Sequence, residues 1–168
     1  MRHRLFSRLP VAFALLMLAS CLPGLVHAQA ASSVTLPVAG IDTFRPVTTT
    51  IACGTNPRPE AMAALRAAGF ASVVSFSELG EPGFDHAAAE TAATAAGLRF
   101  VNLPFNRERP DPAVARRFLE VIAAPATSPA FLSCSTGQRA ATMWLIKRVA
   151  QDGWTLERAM AEAEALGL

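Results

Sequence analysis

Short apolar runs alternate along the chain with longer stretches in which apolar residues recur every three or four positions. The short runs predict strands, and the longer stretches predict amphipathic helices. Strands that alternate with helices predict an α/β fold with a mainly parallel central sheet and helices on both of its faces. Predicted strands cover residues 48–52, 70–76, 98–103 and 130–132; predicted helices cover residues 59–68, 86–96, 112–123, 140–150 and a last stretch after Thr155.

The predicted helix boundaries coincide with residues that commonly begin or end helices. Asp85 and Asp111 stand in front of two helices, where a carboxylate accepts hydrogen bonds from unpaired backbone N–H groups. Pro112 suits a first helical position, and Gly97 and Gly153 follow the last residues of two helices. Asp111 is therefore interpreted first as a helix cap.

The stretch with the clearest chemistry follows the predicted strand at 130–132 and reads CSTGQR from Cys134 to Arg139. Its small residues and Gly137 let backbone N–H groups turn toward one point, and the start of the next helix adds further N–H groups. The guanidinium of Arg139 can hold two oxygens of a tetrahedral anion, while the same field favours a thiolate at Cys134. The loop therefore predicts an oxyanion site with a nucleophile facing it. The candidates are Cys134 and Arg139 for catalysis, and Ser135, Thr136, Gly137, Gln138 and Arg139 for binding the anion.

Two simpler interpretations of the cysteines stay open. Cys134 and Arg139 would also fit a buried structural cysteine beside a surface arginine. Cys53 closes the predicted strand at 48–52 and is either a core residue or a redox partner of Cys134. A disulfide between them requires Cα atoms within about 7 Å, and it would protect a reactive thiolate from irreversible oxidation.

The first 28 residues have the pattern of a secretory signal peptide. Arg2, Arg4 and Arg8 precede a short apolar run, and small residues end it near Ala28. The run is too short for a membrane span. We expect a signal peptide at 1–28, a linker or edge segment at 29–40 and one domain at 41–168, in the periplasm or secreted. In the alternative interpretation, Cys21 is the lipid anchor of a lipoprotein.

Removing this segment changes the charge of the chain. The formal charge of +2 includes the three arginines and no acidic residue from the segment, which leaves 12 basic against 13 acidic residues. The remaining chain has no basic run with interleaved aromatic residues, so we expect no nucleic-acid partner. His86 is then its single histidine and is interpreted as a residue of the helix surface. We expect neither a metal site nor a cofactor.

Several motifs together resemble a known family. They are IDTFRPV at 41–47, a Gly-x-x-Pro turn at 54–57, EAMAALRAAGF at 60–70, CSTGQR at 134–139 and GWTLERAMAEAEALGL at 153–168. This combination resembles the cysteine-dependent phosphatases of the tyrosine and dual-specificity type, in the bacterial branch of β-lactamase hydrolase-like phosphatase-like domains. The resemblance implies their fold and a phosphorylated small molecule or protein as the substrate.

The resemblance also implies a two-step mechanism. The thiolate of Cys134 attacks phosphorus to give a phosphocysteine, and an acid protonates the leaving oxygen before activating water. That acid is usually an Asp on the loop after the third strand, where this chain offers Glu108 and Asp111 and has Asn106 at a position an acid could occupy. Arg107 and Arg109, on the same loop, either attract an anion or are simply solvated. Weaker candidates for the acid lie on another loop: Glu78, Glu81 and Asp85.

Departures from the family pattern keep two other functions open. Four residues separate Cys134 from Arg139, a spacing shared with rhodanese-type sulfurtransferases, in which Cys134 would carry a persulfide. Ser133 stands where His is usual, and Ala140 stands where Ser or Thr is frequent. Both changes remove polar support for the thiolate. The third possibility is a catalytically weak module that binds phosphate or a phosphoprotein.

Overall fold

The computed structural model describes residues 38–168, so the expected signal peptide, Cys21 and residues 29–37 lie outside the described residues. In these residues, five strands form one sheet in the order β1-β2-β5-β3-β4. The strands are β1 (Phe44–Pro46), β2 (Ile51–Thr55), β3 (Ser72–Ser75), β4 (Arg99–Asn102) and β5 (Ala130–Cys134). β1 pairs antiparallel with β2, and the other neighbours pair parallel.

Within the described part of the chain, five α-helices connect and follow these strands, and a short 3-10 helix (Pro125–Thr127) leads into β5. The caps predicted at Asp85 and Asp111 are confirmed, because their side chains accept hydrogen bonds from N–H groups of the first turn of their helices, and the Thr155 hydroxyl caps the last helix in the same way. The helices are α1 (Ala61–Ala67), α2 (His86–Ala95), α3 (Pro112–Ala123), α4 (Gln138–Ala150) and α5 (Leu156–Ala165).

The two faces of the sheet bury separate apolar clusters. Met62 and Leu65 of α1 and Ala93 of α2 pack with Phe131 on one face. On the other face, Phe118 of α3, Met143 of α4 and Leu166, just after α5, pack with alternate residues of the strands. Burial of this kind is the main stabilising contribution to such a layered fold. The α/β class, the mainly parallel sheet and the helices on both faces are thus confirmed.

The first predicted strand was placed too early. Residues 48–52 are rich in threonine, but the structure has a turn over Thr48–Thr50, in which the Thr48 hydroxyl accepts a hydrogen bond from the Thr50 N–H. This local bond competes with strand pairing, and β2 begins only at Ile51. The turn joins β2 to β1, a short antiparallel edge strand that the apolar pattern did not separate from its surroundings.

The parallel register brings the functional segments to one edge of the sheet. Thr55 pairs with Cys134, and Ser133 pairs with Ser75, so β2, β5 and β3 end side by side. The segments that follow β3, β4 and β5 therefore leave from the carboxyl edge, where open parallel sheets bind ligands. None of the helices in residues 38–168 has the length and apolar character needed to cross a membrane.

Candidate active site

Cys134 is the last residue of β5 and is fully buried. Its Sγ atom accepts a hydrogen bond from the backbone N–H of Gly137 at 3.1 Å. Gly137 has a φ of +87°, a left-handed conformation that residues with a side chain rarely adopt. The glycine therefore lets the chain turn back over the sulfur atom just before α4 begins.

Helix α4 begins at Gln138, two residues earlier than the apolar pattern predicted. Its N-cap residue is Gly137, which has no side chain to accept hydrogen bonds from the first N–H groups. Ser135 and Thr136 are exposed, and the Thr136 hydroxyl lies 3.4 Å from the Gln138 nitrogen. The N–H groups of the loop and the positive end of the helix dipole thus suit an anion.

Arg139 faces into this loop and does not lie on the surface. Its Nη2 atom donates to both carboxylate oxygens of Glu81, at 2.5 and 2.7 Å, and to the Ser135 hydroxyl at 3.0 Å. The side chains of Arg139 and Glu81 are only 11% and 19% exposed. The interpretation of a structural cysteine with a surface arginine is therefore wrong for Arg139.

The ion pair changes the pKa of both partners. Burial alone would lower the pKa of Arg139, but its hydrogen bond to Glu81 and the nearby Cys134 raise it. Burial likewise works against the charged form of Glu81, and the contacts with Arg139 and Ser135 outweigh it and hold the pKa of Glu81 below its ordinary value. Both groups are therefore charged at neutral pH.

A cleft of about 380 Å³ opens above the loop. The loop after β3 and the loop after β4 form the walls of the cleft. The loop of residues 134–139, called here the anion loop, forms its floor. Cys134 is fully buried and does not itself contribute to the lining. The lining residues are Glu78, Glu81, Phe105, Asn106, Arg107, Glu108, Ser135, Thr136, Gln138 and Arg139.

The two main candidates for the acid lie in different places. Glu108 lines the cleft. Asp111 does not, and its Oδ1 atom accepts the Ala113 N–H at 2.8 Å as the cap of α3. Asp85 is also a cap, bound to the Ala88 N–H at 3.0 Å. Glu108 is thus the carboxylate of the predicted loop that the structure brings to the anion site.

The two arginines of this loop also differ. Arg107 lines the cleft and donates from Nη1 to the Gln138 side chain at 2.9 Å. Arg109 is exposed and is absent from the lining. Arg107 therefore connects the loop after β4 to the first turn of α4.

The segment 77–84, with the sequence SELGEPGF, contributes more to the site than the sequence indicated. Glu81 was a weaker candidate for the acid, whereas the structure pairs it with Arg139. Glu78 accepts hydrogen bonds from the side-chain amide of Asn106 at 3.1 and 3.3 Å. His86 is half-buried, and its Nε2 atom donates to the Ser77 carbonyl at 3.2 Å. The only sequence signal for this role was two glutamates three positions apart in a loop that follows a strand.

The positions that depart from the family pattern are buried. Ser133 is fully buried, and its hydroxyl has no hydrogen-bond partner within residues 38–168. Ala140 is fully buried in the first turn of α4. Neither residue donates a hydrogen bond to the Cys134 sulfur atom, which leaves that role in this part of the chain to Gly137.

Cys53 lies on the strand next to Cys134, but not opposite it. Cys53 pairs with Leu132, two residues before Cys134 along β5. A rise of ~3.3 Å per residue and a strand spacing of ~4.8 Å give a Cα separation of about 8 Å, beyond the usual range for a disulfide. Both cysteines are free and buried, and burial, together with Glu162 and Cys134, raises the pKa of the Cys53 thiol. The geometry favours Cys53 as a core residue.

Comparison with known proteins identifies a matching family. Residues 43–151, more than half of the chain, match the family described as Beta-lactamase hydrolase-like protein, phosphatase-like domain. No curated protein matches the sequence.

Solved structures share the fold at low sequence identity. TpbA of P. aeruginosa, crystallised with pTyr, has 19% identity and a TM-score of 0.61, over 82% of this chain and 80% of that one. The catalytic core of the PP-IP phosphatase Siw14 of S. cerevisiae, with citrate, has 16% identity and a TM-score of 0.62, over 79% and 80%. A DUF442 protein of Shewanella putrefaciens CN-32 has 16% identity and a TM-score of 0.63, over 76% and 87%.

Proposed function

Since the chain belongs to the family of phosphatase-like domains of β-lactamase hydrolase-like proteins, we propose that it is a phosphatase that hydrolyses a phosphate monoester through a phosphocysteine on Cys134. One observation carries the proposal. The Cys134 sulfur atom, the Gly137 N–H and the Arg139 guanidinium are gathered in one short loop at the start of a helix. Such a loop can bind a phosphoryl group and attack it from the same place.

The first step forms a bond between sulfur and phosphorus. The thiolate of Cys134 attacks in line, and the bond from phosphorus to the ester oxygen breaks. Arg139 and the N–H groups of Ser135 to Arg139 hold the equatorial oxygens of the phosphoryl group. The departing oxygen takes a proton from an acid and leaves as an alcohol.

The second step releases phosphate. The same acid, now a carboxylate, takes a proton from water, and the water oxygen attacks phosphorus. The bond between sulfur and phosphorus breaks, the thiolate returns, and inorganic phosphate leaves the loop. The same carboxyl group therefore donates a proton in the first step and accepts one in the second.

Glu108 is the carboxylate best placed for this role. The carboxylate of Glu81 is held by Arg139, and that of Glu78 accepts hydrogen bonds from Asn106. Asp111 caps α3 outside the cleft. Glu108 lines the cleft, and its carboxylate accepts no hydrogen bond from residues 38–168.

The substrate is a phosphorylated small molecule or protein. The TpbA structure contains pTyr, and Siw14 is named as a PP-IP phosphatase, so related folds receive phosphoryl groups on very different carriers. On the basis of the signal-peptide pattern at 1–28, we propose that the reaction takes place outside the cytoplasm, in the periplasm or beyond. Lipid attachment at Cys21 is the alternative for the same segment.

One observation supports a second candidate, a module that binds phosphate with little turnover. Ser133 and Ala140 give the sulfur atom no hydrogen bond, and Cys134 is fully buried. The spacing of Cys134 and Arg139 also retains the sulfurtransferase as an alternative, with a persulfide in place of the phosphocysteine.

One set of assays separates these functions. Residues 29–168 are assayed with p-nitrophenyl phosphate and, separately, with thiosulfate and cyanide, beside Cys134→Ser and Arg139→Lys. We expect hydrolysis of the aryl phosphate that disappears in Cys134→Ser. Arg139→Lys keeps the charge but loses the planar fork, so turnover should fall by roughly a hundredfold or more and inhibition by vanadate should weaken.

Other results would change the assignment. Thiocyanate formation that depends on Cys134, without phosphate release, would identify a sulfurtransferase. Binding of phosphate without turnover in either assay would identify a binding module.

A further inference from the structure

The segment 77–84, called here the bridging loop, contacts both the anion loop (134–139) and the loop that carries Glu108. We propose that Glu81 and Asn106 are positioning residues at the two ends of a hydrogen-bonded chain that couples Arg139 to Glu108. This inference rests on the proposed phosphatase function. It assigns a role to Asn106, which stands where an acid was expected and cannot itself donate a carboxyl proton.

The first contact fixes one end of the Arg139 guanidinium. Both oxygens of Glu81 bind the same atom, Nη2, and the Ser135 hydroxyl binds Nη2 as well. Within residues 38–168, the Nε and Nη1 atoms of Arg139 make no hydrogen bond. The N–H groups of Nε and Nη1 therefore remain available to donate to phosphoryl oxygens, one bond each, while Glu81 keeps Nη2 in place.

The second contact lies within the bridging loop. The backbone N–H of Glu78 donates to Oε2 of Glu81 at 2.9 Å, and the Glu81 N–H donates to the Glu78 carbonyl at 3.1 Å. Gly80, between the two glutamates, has a φ of +75° that suits a tight turn. The turn places Glu78 and Glu81 on the same side of the loop, and both line the cleft.

The third contact reaches the loop with the acid. The side-chain amide nitrogen of Asn106 donates to both carboxylate oxygens of Glu78, at 3.1 and 3.3 Å. Its oxygen accepts the backbone N–H groups of Glu108 and Arg109, at 2.9 and 3.0 Å. Asn106 therefore holds the turn that begins at Glu108 and binds that turn to the bridging loop.

The two ends of the hydrogen-bonded chain affect different steps of the reaction. Glu81 acts on the binding of the phosphoryl group, through the orientation of Arg139. Asn106 acts on protonation of the leaving oxygen, through the backbone that carries Glu108. Because the two effects are separate, each end has its own measurable signature.

The first experiment tests Glu81. Binding of inorganic phosphate is measured by calorimetry for the wild type and for Glu81→Gln, which keeps the shape of the side chain but loses its charge. We expect the affinity to fall roughly fivefold to twentyfold, because a charged contact that orients the guanidinium is lost. Glu162→Gln is the matched control, since Glu162 forms an ion pair of similar exposure with Arg148, between α4 and α5.

Two results would overturn the role of Glu81. Tighter phosphate binding in Glu81→Gln would mean that Glu81 competes with the anion for Arg139. An equal loss of affinity in Glu162→Gln would mean that the effect is one of general stability. Melting temperatures of all variants show which of them are folded at the temperature of the measurement.

The second experiment tests Asn106 through the leaving group. Asn106→Asp keeps an oxygen that accepts the Glu108 and Arg109 N–H groups, but it replaces the amide donor with a charge that repels Glu78. Asn106→Ala removes both contacts. Each is compared with the wild type on p-nitrophenyl phosphate, whose leaving group needs little protonation, and on phenyl phosphate, which needs more.

We expect both variants to lose activity on phenyl phosphate at least fivefold more than on p-nitrophenyl phosphate, with little change in phosphate affinity. Equal losses on the two substrates would overturn the coupling to the acid. The outcome is distinct from a failure of the proposed function, in which wild-type turnover itself is absent. Phosphate binding to Glu81→Gln is measurable in either case.

Discussion

At the scale of single residues, the site depends on a few polar contacts in a mostly apolar setting. Cys134 receives one hydrogen bond from Gly137, and Arg139 is fixed by Glu81 and Ser135. Contacts to charged groups with so little exposure are stronger than ordinary surface pairs, because water screens them less. The two cysteines differ in position: Cys134 is the last residue of β5, just before the loop that leads into α4, whereas Cys53 lies inside β2, where burial raises the pKa of its thiol.

A residue-scale prediction concerns oxidation of Cys134. We expect wild type and Cys53→Ala to lose activity to hydrogen peroxide at similar rates and to recover equally with dithiothreitol, because Cys53 is offset by two residues in the register. Activity is measured after peroxide treatment and again after reduction. Recovery of the wild type alone would show that the strands move enough to form a protective disulfide.

At the scale of elements, helix starts and strand ends determine which carboxylates can act in the reaction. Asp111 caps α3 and accepts the N–H of Ala113, while Glu108 lies three residues earlier on the loop. The amphipathic pattern and the Asp-Pro pair predicted α3 at residues 112–123, and the structure has it at Pro112–Ala123. The start of α4 was predicted two residues late, because Gln138 and Arg139 are polar and carry no periodic signal.

An element-scale prediction separates the cap from the acid. Asp111→Ala should destabilise the protein by about 1 kcal/mol through loss of the cap, with turnover on phenyl phosphate nearly unchanged. Glu108→Gln should leave the melting temperature nearly unchanged and reduce that turnover by roughly a hundredfold. Thermal melts and steady-state rates on both variants check this. A large loss of turnover in Asp111→Ala, with turnover nearly unchanged in Glu108→Gln, would make Asp111 the acid.

At the scale of the whole molecule, ion pairs connect elements that are distant in the chain. Glu81 joins the bridging loop to α4 in this way, whereas Asp152 forms local pairs with Lys147 and Arg148 at the end of α4. In both carboxylates burial opposes the charged form, and the hydrogen bonds from basic side chains outweigh it, so both pKa values are lowered. Groups with lowered pKa values stabilise the folded state only while they are ionised.

The corresponding prediction is a dependence of stability on pH. The ordinary pKa of a glutamate is 4.5, and Glu81 in the folded chain titrates below it. Its contribution to stability is therefore fully present above the unfolded value and is lost as the pH falls through the lower folded value. Glu81→Gln should melt below the wild type at pH 7, and the difference should shrink as the pH falls below 4.5. A difference that stays constant with pH would show that the charge of Glu81 does not contribute.

The sequence by itself determined the features that arise from local interactions. Apolar periodicity gave the α/β class and most helix and strand positions, since burial on a sheet or helix face repeats at a regular interval. Small residues, a glycine and an arginine at a helix start identified the anion loop, because its backbone geometry is encoded within six residues. The short edge strand β1 was missed, since three residues carry too little periodicity.

Only the tertiary structure decided which side chains meet across the cleft. Arg139 and Glu81 are 58 positions apart, and Asn106 and Glu78 are 28 apart. No local pattern encodes these pairs. They depend on the order of β3, β4 and β5 in the sheet and on the turn at Gly80, which bring three loops to one edge. The same register offsets Cys53 from Cys134 by two residues. The number of residues between them in the sequence does not reveal this offset.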